Sequence, residues 1–131
     1  MRLLLDTHVW IWSLSDLSRL ADRVTRALVD SKNEIWLSPI STWEVLMLAR
    51  KGRVTLLPST EAWLHEAFSK PNLQEGTFTH AVAEETARIA LHHRDPADLI
   101  LAATARVYGL TLVTSDERLL RAREFDTLPN R

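Results

Sequence analysis

A chain of 131 residues, 46% apolar and 25% charged, fits one domain over residues 1–131 and is long enough to bury a core without covalent staples. The absence of cysteine excludes a disulfide framework and a thiolate metal site. Sixteen basic against seventeen acidic side chains, a net charge of -1, argue against a protein that coats nucleic acid regardless of sequence.

Three of the basic residues are lysine (Lys32, Lys51, Lys70) and the rest arginine. Arginine suits bidentate phosphate contact, although arginine-rich coding composition would give the same bias. Asp6 and His8 interrupt the first apolar stretch, so a signal peptide is not expected there. No stretch approaches the length of a membrane span, and the expected location is the cytoplasm.

Leu3-Leu4-Leu5 predicts a strand buried on both faces, and it ends abruptly on Asp6. Residues 7–14 predict a short helix. Over residues 17–29, Leu17, Leu20, Val24, Ala27 and Leu28 recur at helical spacing, with Arg19, Asp22, Arg23 and Arg26 opposite. Residues 34–38 read as a second strand halted by Pro39. Ser41-Thr42-Trp43-Glu44 has the pattern of a capping box and opens a helix that runs to Arg50, with Gly52 as its stop.

Residues 52–80 are the least regular, with one helix over 60–69. A helix over 81–91 leads into His92-His93-Arg94. Asp95-Pro96-Ala97-Asp98 starts a long alanine-rich helix to Tyr108, closed by Gly109. Residues 110–114 form a β-branched strand, Ser115-Asp116-Glu117-Arg118 begins a last helix, and residues 125–128 are a candidate edge strand. Strands alternating with helices predict an α/β fold with a mostly parallel sheet and right-handed connections.

Each acid beside these elements has an ordinary explanation. Asp6 and Asp95 are good N-caps, Glu44 fits a capping box, and Asp98 and Asp116 suit the positive end of a helix dipole. Together they do more than capping requires. Each follows a strand or opens a helix, so a parallel sheet gathers them at the carboxyl ends of its strands. Clustered carboxylates repel unless cations hold them ionised. An all-oxygen set suits Mg²⁺ or Mn²⁺, and such a centre activates water and clamps a phosphodiester. Nuclease chemistry is the resulting expectation.

The histidines carry less. His65-Glu66 lacks the second histidine of a zincin motif, and His8 is the one best placed to approach the acids. His80, His92 and His93 are read as structural or solvent-facing. The five tryptophans are core residues by default, while a surplus over the core's needs would imply a partner surface.

Four stretches taken in order resemble the PIN-domain family, more particularly the VapC-type toxins of bacterial toxin–antitoxin pairs. They are Leu3-Leu4-Leu5-Asp6-Thr7-His8, residues 37–45 around Glu44, His93-Arg94-Asp95-Pro96-Ala97-Asp98 with Leu101-Ala102-Ala103-Thr104-Ala105, and Leu112-Val113-Thr114-Ser115-Asp116. The resemblance implies a three-layer α/β/α fold and a ribonuclease dependent on one or two Mg²⁺ or Mn²⁺ ions. It implies metal-binding and catalytic roles for Asp6, Glu44, Asp98 and Asp116, with Asp95 as a capping acid that could exchange places with Asp98. Thr7, Ser38 and Thr114 or Ser115 are then candidates for orienting ligands or waters. It further implies an RNA substrate, a cognate antitoxin and a homodimer.

One departure is Leu99, where relatives with this pattern often carry arginine. The alternatives are a related RNA-processing nuclease without an antitoxin, and a binding module whose acids only cap helices. An aspartyl-phosphate phosphatase would want a second aspartate two residues after Asp6, and His8 stands there.

Overall fold

The computed structural model describes residues 1–91 and 95–131. Its sheet has five strands: β1 (Arg2–Leu5), β2 (Glu34–Leu37), β3 (Leu73–Glu75), β4 (Thr111–Thr114) and β5 (Asp126–Pro129). They lie in the order β3-β2-β1-β4-β5, and every neighbouring pair is parallel. The expected fold class is therefore observed, and the sheet is wholly rather than mostly parallel.

The helices are α1 (Thr7–Ser15), α2 (Asp22–Val29), α3 (Pro39–Arg50), α4 (Thr60–Phe68), α5 (His80–Glu85), α6 (Pro96–Tyr108) and α7 (Glu117–Arg121). Successive side chains of a strand point to opposite faces, and β1 shows this directly. Leu3 and Leu5 pack with Val9, Trp10, Val24, Val45 and Trp63 on one side of the sheet. Leu4 packs with Leu101, Ala105, Leu112 and Leu119 on the other. Burial of β1 on both faces makes it the middle of three layers. Among the described residues, no helix is long and apolar enough to cross a membrane.

Several boundaries differ from the sequence reading, each for a physical reason. The helix expected over 17–29 is a 3-10 turn at Leu17–Arg19, an extended Leu20, and then α2. Asn130, buried near the carboxyl end of the chain, accepts from the Ala21 N–H at 2.7 Å and donates to the Arg19 carbonyl at 3.0 Å. Those backbone groups therefore need no helical partners. Helix α3 starts three residues earlier than the capping box implied, with Ser38 rather than Ser41 as N-cap (its hydroxyl accepting from Ile40 N–H at 3.1 Å) and Pro39 at the first position. Glu44 thus lies in the second turn, and the capping-box reading is corrected.

The helix expected over 81–91 is α5 followed by a 3-10 turn at Thr86–Arg88 and an extended Ile89. The expected His92-His93-Arg94 terminus lies outside the described residues. Strand β3 was not expected. It is three residues long, offers one partly buried apolar side chain, and follows Asn72 at positive φ, so neither alternation nor length announces it.

Two glycines are required by geometry. Gly109 ends α6 in the left-handed conformation that favours glycine. Gly76 follows β3, donates to the Leu37 carbonyl at 2.8 Å, and leaves only 2.9 Å between a would-be Cβ and Thr104 Cγ2 of α6. Gly76→Ala is expected to cost about 1–3 kcal/mol by overpacking a buried junction. Urea denaturation measures it, and an unchanged midpoint would show that α6 yields freely there.

Candidate active site

Strands leave β1 in two directions, toward β2 and β3 on one side and toward β4 and β5 on the other. The junction of β1 and β4 is thus the point where strand order reverses, where open α/β sheets form a crevice beyond their carboxyl ends. A cleft of about 450 Å³ is present there. Asp6, Thr7, His8, Trp12, Glu44, Asp95, Asp98, Ser115, Asp116 and Arg118 line it. All four acids expected to form a site, and the fifth candidate Asp95, share this cleft.

Each acid is delivered by a short structural necessity. Asp6 follows β1, its Oδ1 accepting the Thr7 N–H at 2.7 Å, so it caps α1 as its ordinary reading required. Its Oδ2 accepts from the Thr114 hydroxyl at 2.6 Å. That hydroxyl in turn accepts the Asp116 N–H at 3.0 Å. Thr114, fully buried at the end of β4, therefore links the Asp6 carboxylate to the backbone of Asp116. Thr7 does the same on the other side: its hydroxyl donates to Glu44 Oε1 and shares a hydrogen bond with Ser41 at 3.1 Å.

Asp95 caps α6 by accepting the Ala97 N–H at 3.0 Å and is exposed. Asp98, in the first turn of α6, is only 7% exposed. Asp116 caps α7 through Arg118 N–H at 2.8 Å, and its side chain also pairs with the Arg118 guanidinium.

Of the hydroxyls expected to orient ligands, Thr7 and Thr114 bind acids directly. Ser38 instead caps α3, and the Ser115 hydroxyl accepts from Asn130 at 3.1 Å. His8 lines the cleft with its ring 5.7 Å from that of Trp12, whereas His65 and His80 are exposed elsewhere. Sequence reasoning missed Ser41, Asn130 and Arg118. Ser41 was quoted only as the start of a capping box and nothing local marks Asn130; their contacts span 34 and 109 positions. Arg118 was quoted only as part of a helix start.

The tryptophans divide. Trp10 and Trp63 are buried as expected and meet at 5.1 Å, but Trp43 is 57% exposed, correcting its reading as core.

Crowding shows in the acids' affinity for protons. Burial raises the Asp6 carboxyl above its ordinary value, and Asp116 adds to this, against the lowering effect of the Thr114 and Thr7 hydrogen bonds and of His8. Burial also raises Glu44, reinforced by the charges of Asp6, Asp95 and Asp98 and opposed by Thr7. A carboxyl whose folded pKa lies above its unfolded value binds more protons folded than unfolded. Stability therefore falls as pH rises from the ordinary carboxylate range, near 4, through the raised folded value. Ionisation of either carboxyl therefore opposes folding. In chelator at pH 7, Glu44→Gln is expected to raise Tm by roughly 2–5 °C, with the gain shrinking as pH is lowered. A lower Tm at pH 7 would contradict the strain.

Comparison with known proteins agrees with this architecture. The PIN domain family model matches residues 3–125. The chain is 31% identical over 121 residues to Ribonuclease VapC22 of Mycobacterium tuberculosis, covering 88% of each. Its fold is similar to DNA-bound VapBC from Salmonella typhimurium, at TM-score 0.73 and 19% identity over 100% of this chain and 99% of that one. It is also similar to a toxin–antitoxin complex from Klebsiella pneumoniae, at TM-score 0.64 and 20% identity over 98% of each. At such identities the solved structures speak to the fold alone. The match over nearly the whole length, joined to the identity with the ribonuclease, shows that the chain belongs to the PIN-domain family.

Proposed function

We propose that this chain is an endoribonuclease dependent on Mg²⁺ or Mn²⁺ that hydrolyses phosphodiester bonds of RNA, and that it is the toxin of a toxin–antitoxin pair. The observation that carries the reading is the gathering of Asp6, Glu44, Asp98 and Asp116 in one cleft at the strand reversal. The family membership and the ribonuclease relative support it.

The donor set fits a hard divalent cation. It is all oxygen, burial first and neighbouring carboxylates second raise the Asp6 and Glu44 carboxyls, and a bound cation would favour their ionised forms. Among the described residues, no three carboxylates or imidazoles make a ready-made cage. Mg²⁺ does not need one, since it keeps several waters and takes one or two carboxylates directly. One or two such ions, when bound, would supply positive charge to the scissile phosphate and a more acidic water.

The chain's own residues do the positioning. Thr114 fixes the Asp6 carboxylate, Thr7 fixes Glu44, and α6 holds Asp98 inside the cleft while Asp95 caps that helix at its rim. Such outer partners set the direction of a ligand and keep its lone pairs toward the ion.

An antitoxin partner and a homodimer belong to the same reading. A cleft of about 580 Å³ beside β3 is lined by Leu37, Trp43, Leu46, Phe68 and Leu73. Trp43, Leu46 and Phe68 are exposed large apolar side chains, the kind of surface a partner covers. An RNA substrate fits the expected cytoplasmic location.

Incubation with RNA should yield cleavage in Mn²⁺ or Mg²⁺ and none in chelator. Asp6→Asn and Asp98→Asn should each lower kcat/KM by roughly 10²–10³-fold, the scale of losing a charged group that stabilises a transition state. Cleavage that persists in chelator, or in Asp6→Asn, would contradict the metal reading. Folded variants of a binding module would lose stability only and would show no cleavage to begin with.

A further inference from the structure

We propose that Arg118 serves the acidic cleft in two states: it is the internal counter-ion of Asp116 before a divalent ion binds, and it takes a phosphate oxygen of the RNA once Asp116 is engaged. The proposal rests on the metal-dependent nuclease reading above.

The geometry of Asp116 is the starting point. Its Oδ1 accepts the Arg118 backbone N–H at 2.8 Å and lies 3.4 Å from Arg118 Nε. Its Oδ2 lies 3.2 Å from Arg118 Nη2. The guanidinium thus lies along the carboxylate and offers an N–H to each oxygen, the fork that also matches a phosphate. The backbone contact can persist beside a metal ion, because each carboxylate oxygen has a second lone pair. The guanidinium cannot remain so easily. A divalent cation and a fixed positive charge on one carboxylate stand within a few ångströms and repel.

Arg118 is free to leave. Its side chain is 56% exposed, and among the described residues Asp116 is its one hydrogen-bond partner. The charges of Asp98 and Asp95 also act on it where it stands, at the edge of the cleft.

The need for such a group is electrostatic. The cleft carries five carboxylates, and the whole chain is near-neutral. Among the described residues lining it, Arg118 is the one with a permanent positive charge. An RNA phosphate entering beside these acids is favoured by every cation directed at it, and a guanidinium adds a directional contact that a metal ion alone does not give. A guanidinium released by the arrival of the metal supplies that contact at the moment the site becomes competent. Arg118 is accordingly a substrate-binding residue whose availability is set by Asp116.

The test uses opposite signs. Mn²⁺ affinity of the full chain is measured by calorimetry for wild type, Arg118→Ala and Arg118→Lys, and KM and kcat are then measured on a fluorophore-labelled unstructured RNA at saturating Mn²⁺. Arg118→Ala should bind Mn²⁺ several-fold more tightly because a competitor is gone. Its KM for RNA should rise about 10-fold or more, the scale of one charge-assisted hydrogen bond, with a smaller change in kcat. Arg118→Lys should fall between, restoring part of the KM. Unchanged Mn²⁺ affinity with unchanged KM overturns the proposal. So does weaker binding of both, which would mean that Arg118 merely holds Asp116 in shape. If the wild type neither binds Mn²⁺ nor cuts RNA, the nuclease reading fails and this proposal with it, an outcome distinct from a metal-binding, RNA-cutting wild type that Arg118→Ala leaves unaltered.

Discussion

Like charges do not gather without being held, and the position of this cleft is governed by what holds them. The sheet is parallel throughout, so every strand ends at the same edge, and β1 sits where the order of strands reverses. Asp6 at the end of β1 and Asp116 just after β4 are forced together by that topology. Backbone pairing fixes their separation, with Asp6 N–H donating to the Val113 carbonyl at 3.0 Å. Repulsion between them is offset rather than removed: the buried Thr114 hydroxyl donates to the Asp6 carboxylate, and the Asp116 carboxylate pairs with Arg118.

The three-layer packing exists around this constraint. Leu3, Leu4 and Leu5 anchor β1 between two apolar layers, so Asp6 is carried on a rigid strand rather than on a loop. On one side α1 and α3 meet through Thr7, Ser41 and Glu44. On the other, α6 is buried along Leu101, Ala102, Ala103 and Ala105 and presents Asp98 from its first turn. A protein optimised only for stability would not bury Asp98 beside other acids. Burial first, and neighbouring carboxylates second, raise the Asp6 and Glu44 carboxyls, a local cost that the proposed metal-binding role accounts for.

The sequence made this centre legible because its signals are local and repeated. A triple leucine ending on aspartate, an Asp-Pro-x-Asp helix start and a β-branched strand ending near aspartate each place a carboxylate at a strand–helix junction. Parallel topology then does the gathering. What escaped was held by distant contacts. Asn130 breaks a helix more than 100 positions away, and β3 is a pairing partner rather than a pattern. Trp43 looked like core because tryptophan usually is, and only the folded surface shows it exposed. Arg118 was hidden inside a helix start, since no rule of spacing tells a solvent-facing arginine from one lying on a carboxylate.

A crystal soaked in Mn²⁺ and recorded at the manganese edge tests the central claim most directly. The account predicts an anomalous peak in the cleft within direct or water-bridged reach of Asp6 and Asp98. A cleft without a peak at saturating Mn²⁺, or a peak bound only at the protein surface away from these acids, would contradict it.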